Sequence, residues 1–410
     1  MPIAQQTEVR GTASGTMVRF TCRGNFAITR SIRHLEVILN TTARTASFPV
    51  PSHQRQDTVF AWAYDILKQA IRERVFPGTS VAVTHRGQFV ALKGLGQFTY
   101  EEAAPTVTTG SIFDLASVSK VVATTTMAAV LYERGLLDLD APVIAVVPEF
   151  ARNEPRCRQV TFRMLLAHSS GLPAYEKLFM QAPSRDELLS AAFGVRLVSD
   201  PGTKAEYSDI GFIILGVALE RIADEALDIF CQREIFGPLG MIHTTFKPAV
   251  ELRNLIPPTV DDWTFRNRII QGEVQDENSS AMGGVAGHAG VFSTAEDVAI
   301  FAHAMLNGGV PILRAETLAI FTKREEAPFG TSRALGWDTP SSPSQSGKYF
   351  SAKSFGHLGY TGTSLWIDPD RQLSVTLLTN RTWPDCKNQA VKDIRPRFHD
   401  AVVEALEANS

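Results

Sequence analysis

Strand-like alternation sits at the two ends of this chain and helix-like periodicity fills its middle, and that distribution restricts the fold more than any other feature. Near the start, residues 79–85 and 88–94 alternate around Arg86-Gly87 as a β-hairpin. Near the end, residues 363–367 and 372–378 flank Asp368-Pro369-Asp370-Arg371 as a second hairpin. Each hairpin has a helix beside it. Asp57 is an N-cap candidate ahead of Phe60, Tyr64, Ile66, Leu67, Ala70 and Ile71, spaced for one helix face to about Val75, with Pro77-Gly78 as the stop. Residues 394–408 are amphipathic and helical.

Between the hairpins lie a largely apolar run from Ser117 to Gly135, a second helix from Asp209 to about Ile222, and short helices separated by turn-rich loops. Ser293-Thr294-Ala295-Glu296 has the form of a capping box and predicts a helix through Phe301 and Met305 to Gly308. The expected fold class is α+β: an antiparallel β-sheet built from both ends, flanked by N- and C-terminal helices, with an inserted all-helical domain. The expected division is a disordered tail over 1–56 and one body over 57–408. Its α/β part covers about 57–115 and 290–408, and its helical part about 116–289.

With 410 residues, 44% of them hydrophobic, the chain can bury a large core. A formal charge of −3 gives no electrostatic footprint for nucleic acid and favours a small or peptide-like substrate. Cys22, Cys157, Cys231 and Cys386 show no metal or redox spacing and read as isolated thiols. No apolar run reaches the ~18 residues of a membrane span. The first 55 or so residues are rich in Arg, Ser and Thr without an apolar core and cleavage site, so no secretory signal is expected. The compartment stays open, with a lean to the cytoplasm and the periplasm as the alternative if the true start lies elsewhere; the sequence is silent on oligomeric state.

Three segments carry chemistry. Ser117-Val118-Ser119-Lys120 puts a hydroxyl and an amine on one helix face at i and i+3, where the lysine can help deprotonate the serine. The bland alternative is a helix start with a solvated lysine, but this lysine opens an apolar helix. Tyr207, just before the second apolar helix, can project into a cleft as a phenolate-like base or can be an ordinary core tyrosine. Residues 355–363, Phe-Gly-His-Leu-Gly-Tyr-Thr-Gly-Thr, lead into a strand; taken alone they read as a glycine-rich strand entry, but their glycines also permit close approach of a substrate, and free N–H groups there can bind an oxyanion.

In this order the three segments resemble the β-lactamase and penicillin-binding protein superfamily with its S-x-x-K, Y-x-N and K-T-G elements, and most closely the class C β-lactamase-like branch of serine esterases, peptidases and muramyl-peptide amidases. Residues 165–173 (Leu-Leu-Ala-His-Ser-Ser-Gly-Leu-Pro), 207–212 and 238–241 add to the likeness, which runs from Asp57 to the C-terminus. The resemblance implies that Ser117 is the nucleophile, that Lys120 and Tyr207 move its proton, and that the N–H groups of Ser117 and Tyr360 form the oxyanion hole. It implies no cofactor and no metal.

Departures from the pattern shape the expectation. Asp209 stands at the Asn position, and a carboxylate there favours a charged Lys120, which makes Tyr207 the expected general base. His357-Leu358-Gly359 replaces Lys-Thr-Gly and removes a fixed charge and a hydroxyl that antibiotic-hydrolysing members use. Residues 274–278 and 283–290 look like a segment of a cell-wall-recycling subgroup that includes N-acetylmuramyl-L-alanine amidases, with Gln275 where that subgroup carries His. Asp276, Glu277 and His288 there are candidates for substrate contact or even a metal, against a structural histidine in a turn.

The leading expectation is a serine hydrolase that cleaves an ester or amide through a Ser117 acyl-enzyme, acting as a carboxylesterase or a cell-wall peptide amidase or peptidase with weak β-lactam activity at most. The expected substrates are small esters, β-lactam-like molecules or peptidoglycan fragments. A class C-type β-lactamase and a catalytically silent penicillin or muropeptide sensor are the rivals. An α/β-hydrolase is disfavoured because no G-x-S-x-G elbow occurs.

Overall fold

The computed structural model describes residues 47–182 and 184–409, together with the backbone of 9–12 and 15–18. The chain divides into a unit over 1–45 and a unit over 46–410. In the first, Val9–Thr12 (β1) pairs antiparallel with Gly15–Val18 (β2). Cys22 and the rest of the expected tail up to residue 46 lie outside the described residues.

The second unit is built on one sheet. Its strands are Val50–Pro51 (β3), Gly78–His85 (β4) and Gln88–Gly96 (β5) from the first half of the chain. Short strands follow at Phe113–Asp114 (β6), Thr245–Phe246 (β7), Val260–Asp262 (β8), Arg268–Ile270 (β9) and Val291–Ser293 (β10). Phe355–Leu358 (β11), Ser364–Asp368 (β12) and Leu373–Thr379 (β13) complete the set. The main sheet runs β11-β12-β13-β4-β5-β3, so the two predicted hairpins meet where β13 pairs antiparallel with β4 and Val375 faces Val83. Arg86 and Gly87 take φ of 49° and 77°, the left-handed pair that a two-residue hairpin turn needs.

Period-2 alternation then decides which side chain meets which layer. Val81, Val83, Trp366, Val375 and Leu377 face the terminal helices Ala61–Arg72 and Val391–Ala408 in one apolar cluster. Ala82, Phe89, Leu365, Ile367 and Leu378 face the other way, into the larger cluster shared with the helical part. Both faces are covered, which is why β12 and β13 are buried along their whole length.

The structure moves several expected boundaries. Ordered structure starts before Asp57: Val50 N–H donates to Gly87 O at 2.9 Å and β3 adds in parallel to β5, Pro51 being tolerated on that edge. The first helix is broken at buried Phe60, leaving Gln56–Val59 and Ala61–Arg72, and it stops at left-handed Arg74 rather than Val75. Thr294, not Ser293, caps Ala295–Leu306, because Ser293 is held in β10; Thr294 Oγ1 accepts from Asp297 N–H at 3.2 Å. Beside its helices the inserted part carries the β8–β9 ribbon, and β7 joins it to β10 and β6. The three described cysteines are free.

Candidate active site

Asp114 ends β6 and turns the chain into the apolar run. Its carboxylate accepts from Ala116 N–H at 2.8 Å and from Gln275 N–H at 2.6 Å, and holds Ala116 at a left-handed φ of 47°. An L-residue with a Cβ enters that region only when its surroundings fix it. Ser117 follows in a 3-10 turn, Ala116–Val118, and Lys120–Thr125 is a π-helical stretch before the regular helix Thr126–Glu133. The expected continuous α-helix is thus replaced at its start by two irregular turns, a distortion common at functional sites. Thr124 Oγ1 donates to Gly287 O at 2.7 Å and Thr126 Oγ1 to Val121 O at 2.7 Å, fixing the wider turn.

Three elements converge on Ser117 Oγ. Lys120 Nζ lies 3.0 Å away and Tyr207 OH donates to it at 2.7 Å. Lys120 is fully buried; its ammonium protons also reach Asp209 Oδ1 at 2.7 Å and His288 O at 2.8 Å. Tyr207 and Asp209 flank Ser208, the N-cap of Asp209–Ala223, whose Oγ accepts from Gly211 N–H at 3.1 Å. That cap fixes both neighbours, and Tyr207 OH lies 3.2 Å from Asp209 Oδ1. The third element is the β11–β12 turn. Thr361 Oγ1 donates to Asp114 O and Thr363 Oγ1 to Leu115 O, each at 2.8 Å, which ties the turn to the segment carrying Ser117. A Cβ on Gly359 would stand 2.5 Å from Leu115 O and 1.9 Å from Thr363 Oγ1, so only glycine fits there.

Ser117, Tyr207, Asp209, His357, Gly359 and Tyr360 all line one cavity of about 840 Å³, with Lys120 behind Ser117. The residues named from the sequence are therefore brought together.

The electrostatics revise the expected division of labour. Burial pulls Lys120 below the usual lysine range, and the carboxylate of Asp209 restores only part of this. Burial, then Asp209, holds the Tyr207 phenol well above its usual range. Both shifts run against a phenolate at Tyr207 and a firmly held proton on Lys120. His357 is neutral, pulled down to about 3 by burial and by Lys120 and Arg333, with Nδ1 bonded to Leu358 O at 2.8 Å.

The 274–290 segment forms the wall behind Lys120. Asp276 caps Glu277–Ala281 and lies 2.7 Å from His288 Nε2, so its carboxylate and that imidazole are already partnered. Glu277 stands on the cavity wall, where Tyr175 OH donates to it at 3.5 Å. Among the described residues no group of three or more His, Cys, Asp or Glu side chains is arranged to hold a metal.

Sequence reasoning assigned no role to three residues here. His168, at φ 55°, packs its ring 4.7 Å from that of Tyr207 and accepts Ser208 N–H on Nδ1 at 3.0 Å, so its proton sits on Nε2. Arg333 places its guanidinium 5.5 Å from the Tyr207 ring, lines the cavity and is paired with Asp338, returning to the cleft a cation that position 357 lacks. Asp114 is the third. Nothing local in the sequence marks Asp114 out, because its burial and its bond to Gln275 N–H arise only in the fold.

A mixed sheet between terminal helices and a helical part, with a serine, a lysine and a tyrosine in contact at their junction, defines the class of penicillin-interacting serine hydrolases. The β-lactamase family model matches residues 65–392, and the chain belongs to that family. It is 33% identical over 307 residues to a putative D-alanyl-D-alanine carboxypeptidase of Escherichia coli (strain K12), covering 67% of this chain and 70% of that protein. It is 31% identical over 350 residues to an N-acetylmuramyl-L-alanine amidase of Bacillus subtilis (strain 168), covering 75% and 77%. Among solved structures, EstCE1, a hydrolase with promiscuous acyltransferase activity, shares the fold with a TM-score of 0.70 at 21% identity, over 85% of this chain and 99% of that one. The chain is a β-lactamase-related serine hydrolase. No helix among the described residues is long and apolar enough to cross a membrane.

Proposed function

We propose that the enzyme hydrolyses an amide or ester of a cell-wall peptide fragment through an acyl-enzyme on Ser117. The observation that carries this reading is the pair of contacts at Ser117 Oγ, 3.0 Å from Lys120 Nζ and 2.7 Å from Tyr207 OH, inside a cavity large enough for a peptide fragment. Lys120, in its amine form, takes the Oγ proton as Oγ attacks the acyl carbonyl. The oxyanion lies between the N–H groups of Ser117 and Tyr360. The proton passes by way of Tyr207 OH to the leaving amine or alkoxide, and water then attacks the acyl carbon to free the acid and Ser117.

Support for a cell-wall substrate comes from the two curated relatives, both named for cell-wall bonds. Weak activity on β-lactams follows from the neutral His357 and apolar Leu358, which offer neither the charge nor the hydroxyl of Lys-Thr-Gly. The test is a panel of nitrocefin, p-nitrophenyl acetate and butyrate, D-alanyl peptides and N-acetylmuramyl-L-alanine, ranked by kcat/KM. The cell-wall amide or peptide is expected to lead and nitrocefin to trail, all lost by roughly 10³-fold or more in Ser117→Ala. Nitrocefin at the top would make the enzyme a β-lactamase, and no turnover of any member would make it a silent binder.

A further inference from the structure

We propose that Asp276 and His288 are positioning residues for the general base: their side-chain pair closes the 274–290 segment so that the His288 carbonyl holds Lys120 Nζ against Ser117. The inference deepens the reading above and rests on Lys120 as the group that takes the Ser117 proton. His288 is 1% exposed, and its Nε2 lies 2.7 Å from Asp276 Oδ1. An ionised carboxylate only accepts, so Nε2 carries the proton and donates it. Burial raises the Asp276 carboxyl, but His288 and Ser279 N–H outweigh it and hold the group below its usual range. The same Oδ1 accepts from Ser279 N–H at 2.7 Å, which fixes it at the start of Glu277–Ala281. His288 Nδ1 has no partner among the described residues, so Asp276 is the anchor of the ring.

The closed segment grips the start of the lysine helix. His288 O accepts from Lys120 Nζ at 2.8 Å, Gly287 O from Thr124 Oγ1 at 2.7 Å, and Val291 N–H donates to Ser119 Oγ at 3.1 Å. At its other end Gln275 N–H donates to Asp114, which shapes the Ser117 turn. Gly287 cannot supply the anchor itself: a Cβ there would stand 2.1 Å from Phe212 O, so the backbone is pressed bare against Asp209–Ala223. The flexible lysine stem needs fixed acceptors, because a misplacement of about 1 Å can cost roughly 10²-fold in rate. The charged and titratable groups around Lys120 are Asp209 and Tyr207 at the start of Asp209–Ala223, Asp276 and His288 in the segment, and Arg333, His168 and His357 beyond them. Glu277, next to Asp276, faces the cavity and Tyr175 instead. Burial lowers Lys120, Asp209 and then Asp276 raise it, and Arg333 lowers it. Loss of the Asp276 charge therefore lowers Lys120 further.

The test follows the rate at which a fluorophosphonate labels Ser117, as a function of pH. Asp276→Asn removes the charge and keeps an acceptor for His288; its rising limb is expected about one pH unit below that of the wild type. His288→Leu breaks the pair and is expected to lower the maximal labelling rate about 10- to 100-fold, with the half-saturating probe concentration changed by less than about 3-fold. His288→Gln, which can still donate to Asp276, is expected to recover most of that rate. The wild-type maximal rate in His288→Leu, or an unmoved limb in Asp276→Asn, overturns the proposal whatever either variant does to the melting temperature. If none of the variants folds, the wild type decides: nitrogen NMR of histidine-labelled protein is expected to show His288 Nε2 protonated throughout the active pH range, and a bare Nε2 overturns the pair. A failure of the reading beneath it shows separately, as wild-type labelling at a residue other than Ser117 or as a limb that survives Lys120→Ala.

Discussion

At the scale of single residues, catalysis turns on which group removes the Ser117 proton. Lys120 is lowered by burial and Tyr207 raised, so kcat/KM is expected to rise with pH to a plateau as the Lys120 ammonium deprotonates, at a pKa below the usual 10.5. Tyr207→Phe keeps that limb and lowers the plateau by about 10²- to 10⁴-fold, whereas Lys120→Ala removes the limb. A limb lost in Tyr207→Phe and kept in Lys120→Ala would restore the tyrosine as base. Asp114 gives a second expectation at this scale. Burial raises its carboxyl from 3.8 to about 6, against the two N–H donors that lower it. The folded state therefore binds its proton more tightly than the unfolded chain, and stability falls as pH rises through the window between 3.8 and 6. Relative to Asp114→Asn, the wild type should lose on the order of 3 kcal/mol between about pH 3.5 and 7 in denaturant melts. An unchanged difference across that range would contradict it. Ser117, Lys120 and Tyr207 were legible in the sequence through the three motifs taken together and the family resemblance they carry, since the Ser117–Lys120 spacing or Tyr207 alone left the bland reading open. Asp114, His168 and Arg333 were not. Their importance comes from burial and from partners far along the chain, such as Gln275 N–H for Asp114.

At the scale of elements, the β11–β12 turn and the Ser117 turn act as one unit, because two threonine hydroxyls of the first hold carbonyls of the second. Gly359→Ala drives a methyl into Thr363 Oγ1 and Leu115 O. It is expected to cost about 1–3 kcal/mol of stability and to lower kcat more than it raises KM, measured by melts and steady-state kinetics. Full kcat in a destabilised variant would separate the turn from the chemistry. Alternation gave away both hairpins, since period 2 is a property of adjacent residues, whereas the pairing of β13 with β4 that joins them is a long-range contact. The break at Phe60 and the π-helical stretch after Ser119 left no such trace; both are imposed by packing, through buried Phe60 and through Thr124 bonded to Gly287 O.

At the scale of the whole molecule, the sheet from both chain ends and the inserted helical part meet along a seam, and the seam holds the candidate active site. Ser117, Asp209, Arg333 and Tyr360 come from different stretches of chain, and no single element could present them. The fold class was readable because hairpins and helices are segregated along the sequence. The edge strand Val50–Pro51 and the β8–β9 ribbon escaped because two or three residues carry too little periodicity. The central claim, a covalent acyl-enzyme on Ser117, is tested most directly by incubating the protein with a fluorophosphonate and locating the adduct by peptide mass spectrometry. One adduct on the peptide carrying Ser117, absent in Ser117→Ala and slowed in Lys120→Ala, is the expected result. Labelling at another residue, or labelling of Ser117→Ala at the wild-type rate, would contradict it.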